Sequence, residues 1–438
     1  MDTTIKNLGE KTIPSPLQAR FPLTSSVFVH GKMRILYNVL KRDVVAEIEA
    51  GEINSFEKGG PRKLIYHDPS KVKAAVVTCG GLCPGINDVI RAIVMESFYS
   101  YGINNIIGIP YGYNGLLPQN QYTVIPLDPK RVDNIHNAGG TILGSSRGGT
   151  DDINALVDAL ERMNINILYT IGGDGTQRGA HKIAEIARER GYKLSVIGIP
   201  KTIDNDISFV ERTFGFETAF SEAVKVVQRA HVEAKGVPNG IGLVKLMGRH
   251  SGFIAAHATL ACNDVNFTLI PEVPFDLEGE KGFLKVLEAR LERSDHAVIV
   301  VAEGAGQDLI QAESKGESSF DASGNIKFND IGLFLKQKIE NYFHSKSKVV
   351  NLKYIDPSYI VRSAPANEND SLFCAVLGQY AVHAAMAGKT DMIVGQWNGM
   401  ITHIPIELAV SRRKQIDPDS RLWYDVLAAT GQPISMKN

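Results

Sequence analysis

From residue 71 onward, short apolar runs alternate with stretches of helical spacing, and this alternation limits the possible folds more than any other feature. The apolar runs are rich in β-branched residues and predict strands at 74–78, 106–109, 165–171, 194–199, 241–246, 297–301 and 392–394. The stretches between them predict helices at 88–100, 152–163, 177–190, 218–231, 281–293 and 372–387. Such alternation predicts an α/β fold with parallel sheets covered on both faces. Because these sheets bind ligands at the carboxyl ends of their strands, the residues after each run are the first candidates for chemistry.

Residues 1–70 lack this alternation and are predicted to form an N-terminal extension. Pro14, Pro16 and Pro22 suggest an extended arm, whereas 34–49 has helical apolar spacing. The length of 438 residues predicts two or three domains. A polar stretch rich in Ser and Gly at 313–325 is expected to be a surface loop.

Charge and cysteine content argue against several classes of protein. The formal net charge of −1 disfavours nucleic acid or a membrane surface as a partner, so any anion must be bound by a local group of cations. No apolar run approaches the roughly 18 residues needed to span a bilayer. Four cysteines in 438 residues, and a polar stretch over residues 1–15, predict a reducing, cytoplasmic location.

The loop after the first predicted strand is rich in glycine. Gly80, Gly81 and Gly85 lie between a strand and a helix, where backbone N–H groups can approach an anion closely. No Gly-Lys-Ser or Gly-Lys-Thr sequence follows, so this is not a Walker A loop. A plain tight turn explains these glycines equally well.

A second glycine-rich loop, Gly-Gly-Asp-Gly-Thr, occupies 172–176 at the start of another predicted helix. Glycines and a helix N-terminus suit phosphate oxygens, whereas a carboxylate there repels phosphate unless a cation intervenes. Asp174 is therefore interpreted as a ligand of Mg²⁺ carried on a nucleotide. The alternative is a helix N-cap, but a cap needs only the aspartate and not the glycines around it.

Two aspartates follow the strand predicted at 194–199, in the sequence Pro-Lys-Thr-Ile-Asp-Asn-Asp at 200–206. Residues two apart share a side of an extended segment, so Asp204 and Asp206 are expected to converge on one site. In phosphoryl transfer one acid can take the proton of the attacking hydroxyl while another orders Mg²⁺ and its water. An Asx-rich turn is the alternative; Asp174 at a second strand end favours the catalytic interpretation.

Three arginines are candidates for neutralising a moving phosphate group: Arg147 in a glycine-flanked turn, Arg249 after Met-Gly at a strand end, and Arg362 after Tyr-Ile-Val. An isolated arginine is more often a solvated surface charge. For Arg147 and Arg249 the neighbouring glycines favour phosphate, which a planar guanidinium matches bidentately. Glu303, at another strand end, suits sugar hydroxyls or an ordinary helix start equally well.

Together and in this order, the motifs at 172–176 (Gly-Gly-Asp-Gly-Thr), 202–206 (Thr-Ile-Asp-Asn-Asp) and 247–249 (Met-Gly-Arg) resemble the 6-phosphofructokinase family. The resemblance runs from about residue 71 to about residue 433, and 241–249 and 354–359 look like the long ATP-dependent branch found in plants and trypanosomatids. It implies two Rossmann-like lobes with mostly parallel sheets. The lobes are expected at 71–212 with 361–410 for ATP and at 213–360 for the sugar phosphate, with a C-terminal extension at 411–438.

By this resemblance the chain phosphorylates fructose 6-phosphate with ATP and Mg²⁺, in a homo-oligomer that is usually a tetramer. The resemblance assigns ATP to Gly81, Arg147, Gly148, Gly172, Gly173, Asp174, Gly175 and Thr176, with Mg²⁺ on Asp174. It assigns the sugar phosphate to Thr202, Ile203, Asp204, Met247, Gly248, Arg249, Glu303, Lys353, Tyr359 and Arg362. It assigns catalysis to Asp204 as general base, Arg147, Asp206, Gly175 and Lys201.

The chain departs from the short bacterial enzymes at three of the positions that bear on the sugar phosphate. Where those enzymes have an arginine that a neighbouring subunit donates, this chain has Gly240, and where they have a histidine it has Tyr359. Lys353 stands where the bacterial pattern has another phosphate-binding arginine. The way in which subunits share the sugar phosphate is therefore expected to differ.

The phosphoryl donor depends on two positions. In the pyrophosphate-using branch the residue at position 175 is Asp and that at 201 is Lys, whereas short ATP enzymes have Gly at both; this chain has Gly175 with Lys201. An Asp side chain at 175 would crowd and repel the α-phosphate of ATP, so Gly175 favours ATP, and a pyrophosphate-dependent enzyme is the alternative. A NAD or lipid kinase would share only the first motif, and a sugar-phosphate-binding regulatory subunit would not need the base Asp204.

Overall fold

The computed structural model describes residues 1–20, 25–148, 152–313 and 328–438. Its strands, in chain order, are β1 Lys6–Asn7, β2 Ile13–Pro14, β3 Arg34–Leu36, β4 Ser55–Lys58, β5 Leu64–Ile65, β6 Ala74–Thr78, β7 Ile106–Ile109, β8 Ile125–Pro126, β9 Ile167–Gly172, β10 Ser195–Pro200, β11 Gly240–Leu246, β12 Phe267–Leu269, β13 His296–Ala302, β14 Asn351–Ile355, β15 Lys389–Thr390, β16 Met392–Trp397 and β17 Met400–Pro405. Its helices are α1 Leu17–Arg20, α2 Lys41–Ala50, α3 Ile86–Tyr101, α4 Ile153–Arg162, α5 Asp174–Glu189, α6 Phe216–Lys235, α7 Phe253–Cys262, α8 Phe283–Ser294, α9 Gln307–Glu313, α10 Ile331–Ser345, α11 Ser358–Ser363, α12 Glu368–Met386, α13 Ile406–Ala409 and α14 Arg421–Thr430. None of these described helices combines the length and apolar character that crossing a bilayer requires.

Every strand and helix predicted beyond residue 71 is present, with ends shifted by at most four residues. The two largest shifts are at the end of α6 and at the start of α12, where the Asn367 side chain caps the helix by accepting a hydrogen bond from the Asp370 N–H. The first turn of α12 is therefore polar, and the spacing of apolar residues predicts only the part of the helix that follows this turn. Most of the loop predicted at 313–325 lies outside the described residues.

The chain divides into two compact units. Unit 1 consists of residues 1–202, 207–215 and 363–413, and unit 2 of residues 203–206, 216–362 and 414–438. Residues 1–70, expected to be a separate extension, thus belong to unit 1, and all but three of the residues at 411–438 belong to unit 2. Residues 1–70 are attached in part by backbone pairing, which the apolar pattern of the sequence does not record, whereas the C-terminal residues bury Trp423, Val426 and Met436.

The sheet of unit 1 has the strand order β3-β4-β17-β16-β10-β9-β6-β7-β8. Its central strands, β16, β10, β9, β6 and β7, are parallel, whereas the flanking strands pair antiparallel. The chain passes from β6 to β7 on one side and returns to β9 on the other, so the strand order reverses between β6 and β9. Open parallel sheets bind ligands beyond the carboxyl ends of the strands at such a reversal.

Burial on both faces explains why the strands of unit 1 are continuous apolar runs. Ala75 and Val77 of β6 belong to a core cluster that includes residues of α4 and α5. Ala74 and Val76 alternate with them and point to the other face, where they are equally buried. Helices α3 and α12 pack against each other, and α12 packs against β10 and β16.

The N-terminal residues are joined to this sheet by backbone pairing. Strand β4 pairs with β17, and β3 pairs with β4. The helix predicted at 34–49 is therefore wrong in its first part, which forms β3, and α2 begins only at Lys41. Arg34 explains the difference, because its Nε donates to the Ser55 hydroxyl across the β3–β4 pair at 2.8 Å.

A buried cluster of charges also holds the N-terminal residues in place. Glu57 on β4 binds Arg62 and Lys389, each at 2.7 Å, and contacts His403 at 3.2 Å. Burial alone would raise the pKa of Glu57, but the contacts with His403 and Lys389 hold it well below its usual range. The carboxylate thus stays ionised and ties β4 to β15 and β17.

The sheet of unit 2 has the strand order β12-β13-β11-β14, and every neighbouring pair in it is parallel. The carboxyl ends of β11 and β13 are level, since Leu246 pairs with Ala302, while β14 ends beside Val244. The C-terminal stretch packs on this unit, because Gln432 accepts from the Thr268 N–H at 2.7 Å and donates to the Thr268 carbonyl at 3.2 Å.

Candidate functional site

Unit 1 brings the first glycine-rich loop next to the turn that carries Arg147. The Gly80 N–H donates to the Ser146 carbonyl at 2.8 Å, and the Ser145 hydroxyl donates to the Gly80 carbonyl at 2.7 Å. Gly80 has a φ of 89°, a conformation that favours glycine. Arg147 and Gly148 are exposed, so the guanidinium can reach an anion beside Gly81 at the carboxyl end of β6.

The second glycine-rich loop forms the start of α5. Gly173 stands at the N-cap without a side-chain hydrogen bond, and Asp174 is the first helical residue, so the alternative of Asp174 as N-cap is wrong. Position 172 requires glycine, because an added Cβ would lie 2.2 Å from the Thr176 hydroxyl oxygen. Gly175 differs: it is exposed, and an added Cβ meets nothing within 4 Å. The first turn of α5 is therefore open toward solvent at Gly175.

Asp174 is surrounded by cations that the sequence interpretation missed. Its carboxylate lies 3.2 Å from Arg178 Nε and 3.8 Å from Arg413 Nη2, and the side chain is one-quarter exposed. Arg178 could have been found, since residues four apart on a helix are neighbours. Arg413 comes from far along the chain, and no local pattern pointed to it. The carboxylate thus sits in a positive environment that also suits phosphate oxygens.

Lys201 links three strand ends of unit 1. Its N–H donates to the Gly172 carbonyl at the end of β9 at 3.0 Å, and its Nζ donates to the Gly81 carbonyl in the loop after β6 at 2.6 Å. Lys201 itself follows β10 and is buried. The residue predicted for catalysis therefore also fixes the glycine-rich loops relative to each other.

The segment at 203–206, which belongs to unit 2, is not extended as predicted. Ile203 and Asp204 form a turn, and Asn205 has a φ of 55°. Asparagine tolerates this left-handed conformation better than most residues. The argument that Asp204 and Asp206 share a side of a strand is therefore wrong, and the Asx-rich turn describes the backbone.

The backbone and carboxylate of Asp204 are held by the loop after β11. The Asp204 carbonyl accepts a hydrogen bond from the Ser251 hydroxyl at 3.0 Å, and its Oδ2 lies 3.4 Å from the Arg249 N–H. Asp206 is held differently, through its carbonyl, which accepts from the Lys414 N–H at 2.9 Å. The structure thus brings Asp204 to the carboxyl end of β11 within unit 2.

The loop after β11 also carries Met247, which is buried, and Gly248. Gly248 has a φ of 131°, and an added Cβ would lie 2.5 Å from the Ser251 carbonyl oxygen, so glycine is required there. The Arg249 guanidinium stacks over the Phe328 ring at 4.8 Å from its centre. Stacking restricts the arginine side chain while its edge can still donate hydrogen bonds.

Glu303 joins this group at the end of β13. Its N–H donates to the Leu246 carbonyl at 2.9 Å, which places it beside the loop of Arg249. Burial raises the pKa of Glu303, and the positive charges of Arg249, Lys245 and Arg362 act in the opposite direction. A carboxylate near three cations suits a ligand that carries both hydroxyl groups and negative charge.

Lys245 connects β11 to the helix that carries Tyr359 and Arg362. Its Nζ lies 2.7 Å from Asp330 and 2.8 Å from Asp356, and the Asp356 carboxylate accepts from the Ser358 N–H at the start of α11 at 3.0 Å. Tyr359 is exposed, and the Arg362 guanidinium lies 5.3 Å from the centre of its ring. Sequence reasoning missed Lys245, although a lysine within an otherwise apolar strand was a signal.

Two positions that the sequence analysis discussed, 353 and 240, do not lie at the carboxyl ends of the strands of unit 2. Lys353 pairs with Gly242 in the middle of the β14–β11 ladder and is exposed, so the structure does not bring it to the carboxyl ends with Arg249 and Glu303. At Gly240, the first residue of β11, an added Cβ would lie 2.0 Å from the Ala234 carbonyl oxygen. No larger side chain fits at position 240 without a backbone shift.

The predicted residues thus form two groups, one in each unit. Unit 1 holds Gly81, Arg147, Gly148, Gly172, Gly173, Asp174, Gly175, Thr176, Lys201 and Thr202, and unit 2 holds Ile203, Asp204, Asp206, Met247, Gly248, Arg249, Glu303, Lys353, Tyr359 and Arg362.

The hypothesis that Asp174 and Asp204 serve one cation stays a prediction. Within the described ranges, no group of three or more His, Cys, Asp or Glu side chains could hold a metal ion. A single carboxylate fits Mg²⁺ that arrives on phosphate groups and keeps its waters.

Both the sequence and the structure of this chain are similar to those of known proteins. The family described as phosphofructokinase matches residues 73–385. An ATP-dependent 6-phosphofructokinase of Borreliella burgdorferi is 52% identical over 100% of this chain and 98% of its own length. ATP-dependent 6-phosphofructokinase 7 of Arabidopsis thaliana is 46% identical over 96% of this chain and 85% of its own length. The solved structure of a pyrophosphate-dependent phosphofructokinase from Marinobacter aquaeolei is similar with a TM-score of 0.66 at 20% identity, covering 82% of this chain and 91% of that one.

Proposed function

The chain belongs to the phosphofructokinase family, and on that basis we propose that it transfers the terminal phosphoryl group of ATP to fructose 6-phosphate, giving fructose 1,6-bisphosphate and ADP. It is an ATP-dependent 6-phosphofructokinase, similar over its full length to enzymes that bear this name. The likeness to the pyrophosphate-dependent enzyme is at 20% identity and concerns the fold alone.

The observation that carries the choice of donor is the open space at Gly175. The residue is exposed in the first turn of α5, and nothing lies within 4 Å of the position of a Cβ. A donor larger than pyrophosphate can therefore extend past the helix N-terminus without meeting a side chain there. Lys201, the feature shared with the pyrophosphate branch, donates its Nζ to the Gly81 carbonyl at 2.6 Å and leaves this space open.

Unit 1 is proposed to bind ATP. The glycines at 81, 148 and 172–175 let backbone N–H groups approach phosphate oxygens, and Arg147 would neutralise charge on the transferred group. Asp174 would hold Mg²⁺ together with the nucleotide phosphates, and the bound ion would offset the charge of those phosphates. Arg178 and Arg413, which contact Asp174, would then be neighbours of the phosphate chain.

Unit 2 is proposed to bind the sugar phosphate and to supply the base. Asp204 would accept the proton of the sugar 1-hydroxyl as that oxygen attacks the terminal phosphorus, while the bond from phosphorus to the leaving oxygen of ADP breaks. Arg362 and Tyr359 on α11 would bind the 6-phosphate. Met247, Gly248, Arg249 and Glu303 would position the sugar. Asp206 and Ile203 keep the roles that family resemblance implies, whereas Lys353, in the middle of the β14–β11 ladder, is not assigned to this group.

Direct assay of the purified protein tests the proposed function. Fructose 6-phosphate is supplied with ATP and Mg²⁺ in one reaction and with pyrophosphate and Mg²⁺ in another, and fructose 1,6-bisphosphate is measured. We expect product formation with ATP and at most a trace with pyrophosphate. Turnover with pyrophosphate alone would support the rival donor, and activity with neither would leave only a regulatory sugar-phosphate-binding protein.

The Glu303→Gln variant tests the sugar site. Because hydrogen bonds to a charged group contribute about 1.5–3 kcal/mol, the KM for fructose 6-phosphate is expected to rise about tenfold or more with little change in kcat. The raised pKa of Glu303 means that its carboxylate takes up a proton at a higher pH than an ordinary glutamate. The KM of the wild type should therefore rise as the pH falls through the pKa of Glu303. The KM of the variant should not depend on pH in this way.

The control for this experiment is Glu280→Gln, which removes an exposed carboxylate of the same unit. It should leave the KM and its pH dependence unchanged. If Glu303→Gln keeps the wild-type KM across the pH range, Glu303 does not bind the sugar.

We further propose a cytoplasmic homo-oligomer, a tetramer, by family resemblance. Gly240 bears on this assembly, because it has no room for the arginine that short bacterial enzymes donate between subunits. Each chain is then expected to bind the sugar 6-phosphate without a contribution from position 240 of its neighbour.

A further inference from the structure

Unit 1 contains a polar cleft that the proposed reaction does not use. Its volume is about 580 Å³, and its lining includes Lys11, Arg34, Glu57 and Lys389. Lys389 is the first residue of β15 and stands three positions before Met392, the first residue of β16, so the cleft lies near the amino end of β16. The phosphate-binding motifs lie at the carboxyl ends of the parallel strands. β16 has 6 residues, so the two edges are separated by about 20 Å.

The cations around this cleft outnumber the acids that can balance them. Lys11, Arg34 and Lys389 line it, and Arg62 lies behind Glu57. The carboxylate of Glu57 already binds both Arg62 and Lys389. The other acid of the lining, Glu10, is exposed on the surface. One buried carboxylate thus faces four cationic side chains.

Two of these cations lack an acidic partner among the described residues. Arg34 donates only to neutral oxygens, at 2.8 Å to the Ser55 hydroxyl and at 2.5 Å to the Thr3 hydroxyl and the Ser55 carbonyl. Lys11 is half-buried and makes no hydrogen bond or ion pair with any described residue. Partial burial of an ammonium group without an ion pair is unfavourable. Burial and the charges of Lys389 and Arg62 lower the pKa of Lys11, and the negative charge of Glu57 opposes them only in part.

The space inside the cleft can accept a ligand. At Gly31, which also lines it, an added Cβ meets nothing within 4 Å. An anion of two negative charges would balance Lys11 and Arg34 at once, and a guanidinium matches phosphate geometry well. We propose that this cleft binds a small phosphate-bearing anion, at a second site separate from the reaction. The volume of about 580 Å³ leaves room for an organic phosphate as well as for inorganic phosphate.

Calorimetric titration of the full-length protein with inorganic phosphate, and separately with glycerol 3-phosphate, tests the proposal. Wild type is compared with Lys11→Met, with Lys11→Arg, and with Lys41→Met, which removes an exposed lysine at the start of α2. Phosphate bound elsewhere contributes equally to all four proteins. We expect Lys11→Met to lose at least tenfold in affinity for the cleft, and the other two variants to bind as wild type. Tighter binding of glycerol 3-phosphate identifies an organic phosphate as the ligand, and tighter binding of inorganic phosphate identifies the free ion.

Thermal unfolding separates loss of a ligand from loss of the fold. Without phosphate, Lys11→Met should melt at or above the wild-type temperature, because it removes repulsion among the cations. With phosphate, only proteins that keep a cation at position 11 should gain stability through the cleft. Equal titration curves for wild type and Lys11→Met would overturn the proposal. It would also be overturned if Lys11→Met melted below the wild type without phosphate and phosphate then raised the melting temperatures of both proteins by the same amount.

Discussion

Replacing Asp204 by Asn is expected to lower kcat by about 10²–10⁴-fold, because an amide cannot accept the proton of the sugar hydroxyl. The KM for fructose 6-phosphate should change little, since the proton transfer occurs only in the transition state. The backbone of Asp204 is held independently of its side chain, through the hydrogen bond from Ser251 at 3.0 Å. The variant should therefore fold as wild type. Steady-state kinetics with ATP and fructose 6-phosphate measure the effect.

Asp308→Asn is the matched control, because it neutralises an exposed carboxylate of unit 2 in the first turn of α9. It should retain wild-type kinetics. The assignment of Asp204 as general base is refuted if its variant turns over within a few-fold of the wild-type rate while binding sugar normally.

Replacing Gly175 by Asp is expected to reduce kcat/KM for ATP by roughly a thousandfold. Two unit charges 4 Å apart near a protein surface repel by about 4 kcal/mol, which corresponds to that factor. The folded protein should not suffer, because an added Cβ meets nothing within 4 Å. An acidic residue in the first turn of a helix is also favourable for the helix dipole. The variant should therefore lose activity with ATP while its free energy of unfolding stays close to that of the wild type.

Gly175→Asn serves as the control, since it adds nearly the same volume without the charge. If repulsion is the cause, this variant should retain most of the activity with ATP, and a loss equal to that of Gly175→Asp would indicate crowding instead. Unchanged use of ATP by Gly175→Asp would contradict the donor assignment.

The fold could be predicted beyond residue 71 because its central strands are buried on both faces. Every residue of β6 and β9 is buried, so their sequences are mostly apolar and easy to recognise. Strands β3 and β4 could not be predicted, because they are held by edge pairing and by polar contacts such as that of Arg34 with Ser55. Residues 414–438 attach to unit 2 partly through the buried side chains of Trp423, Val426 and Met436, which pack against distant parts of the chain that no local pattern records.

The candidate site could be predicted where the chemistry requires particular residues at close spacing. The glycine at 172 and that at 248 are required by contacts to Thr176 and Ser251, and both stand in recognisable motifs. The contacts of Asp174 with Arg413 and of Lys245 with Asp356 join distant parts of the chain, and no local pattern records them. The extended geometry assumed for Asp204 and Asp206 failed because Asn205 adopts a positive φ of 55°.

The hydrogen bond from Lys201 to Gly81 bears on any attempt to re-engineer the phosphoryl donor. Position 201 differs between branches of the family, so its residue is an obvious target for a substitution that aims to change the donor. In this protein the ammonium group also anchors the neighbouring glycine-rich loop, at 2.6 Å. A glycine at 201 would release that loop while it changed the local charge. A substitution at position 201 would therefore change the local charge and the order of the loop at once, and we expect it to need a second substitution that restrains the loop by other means.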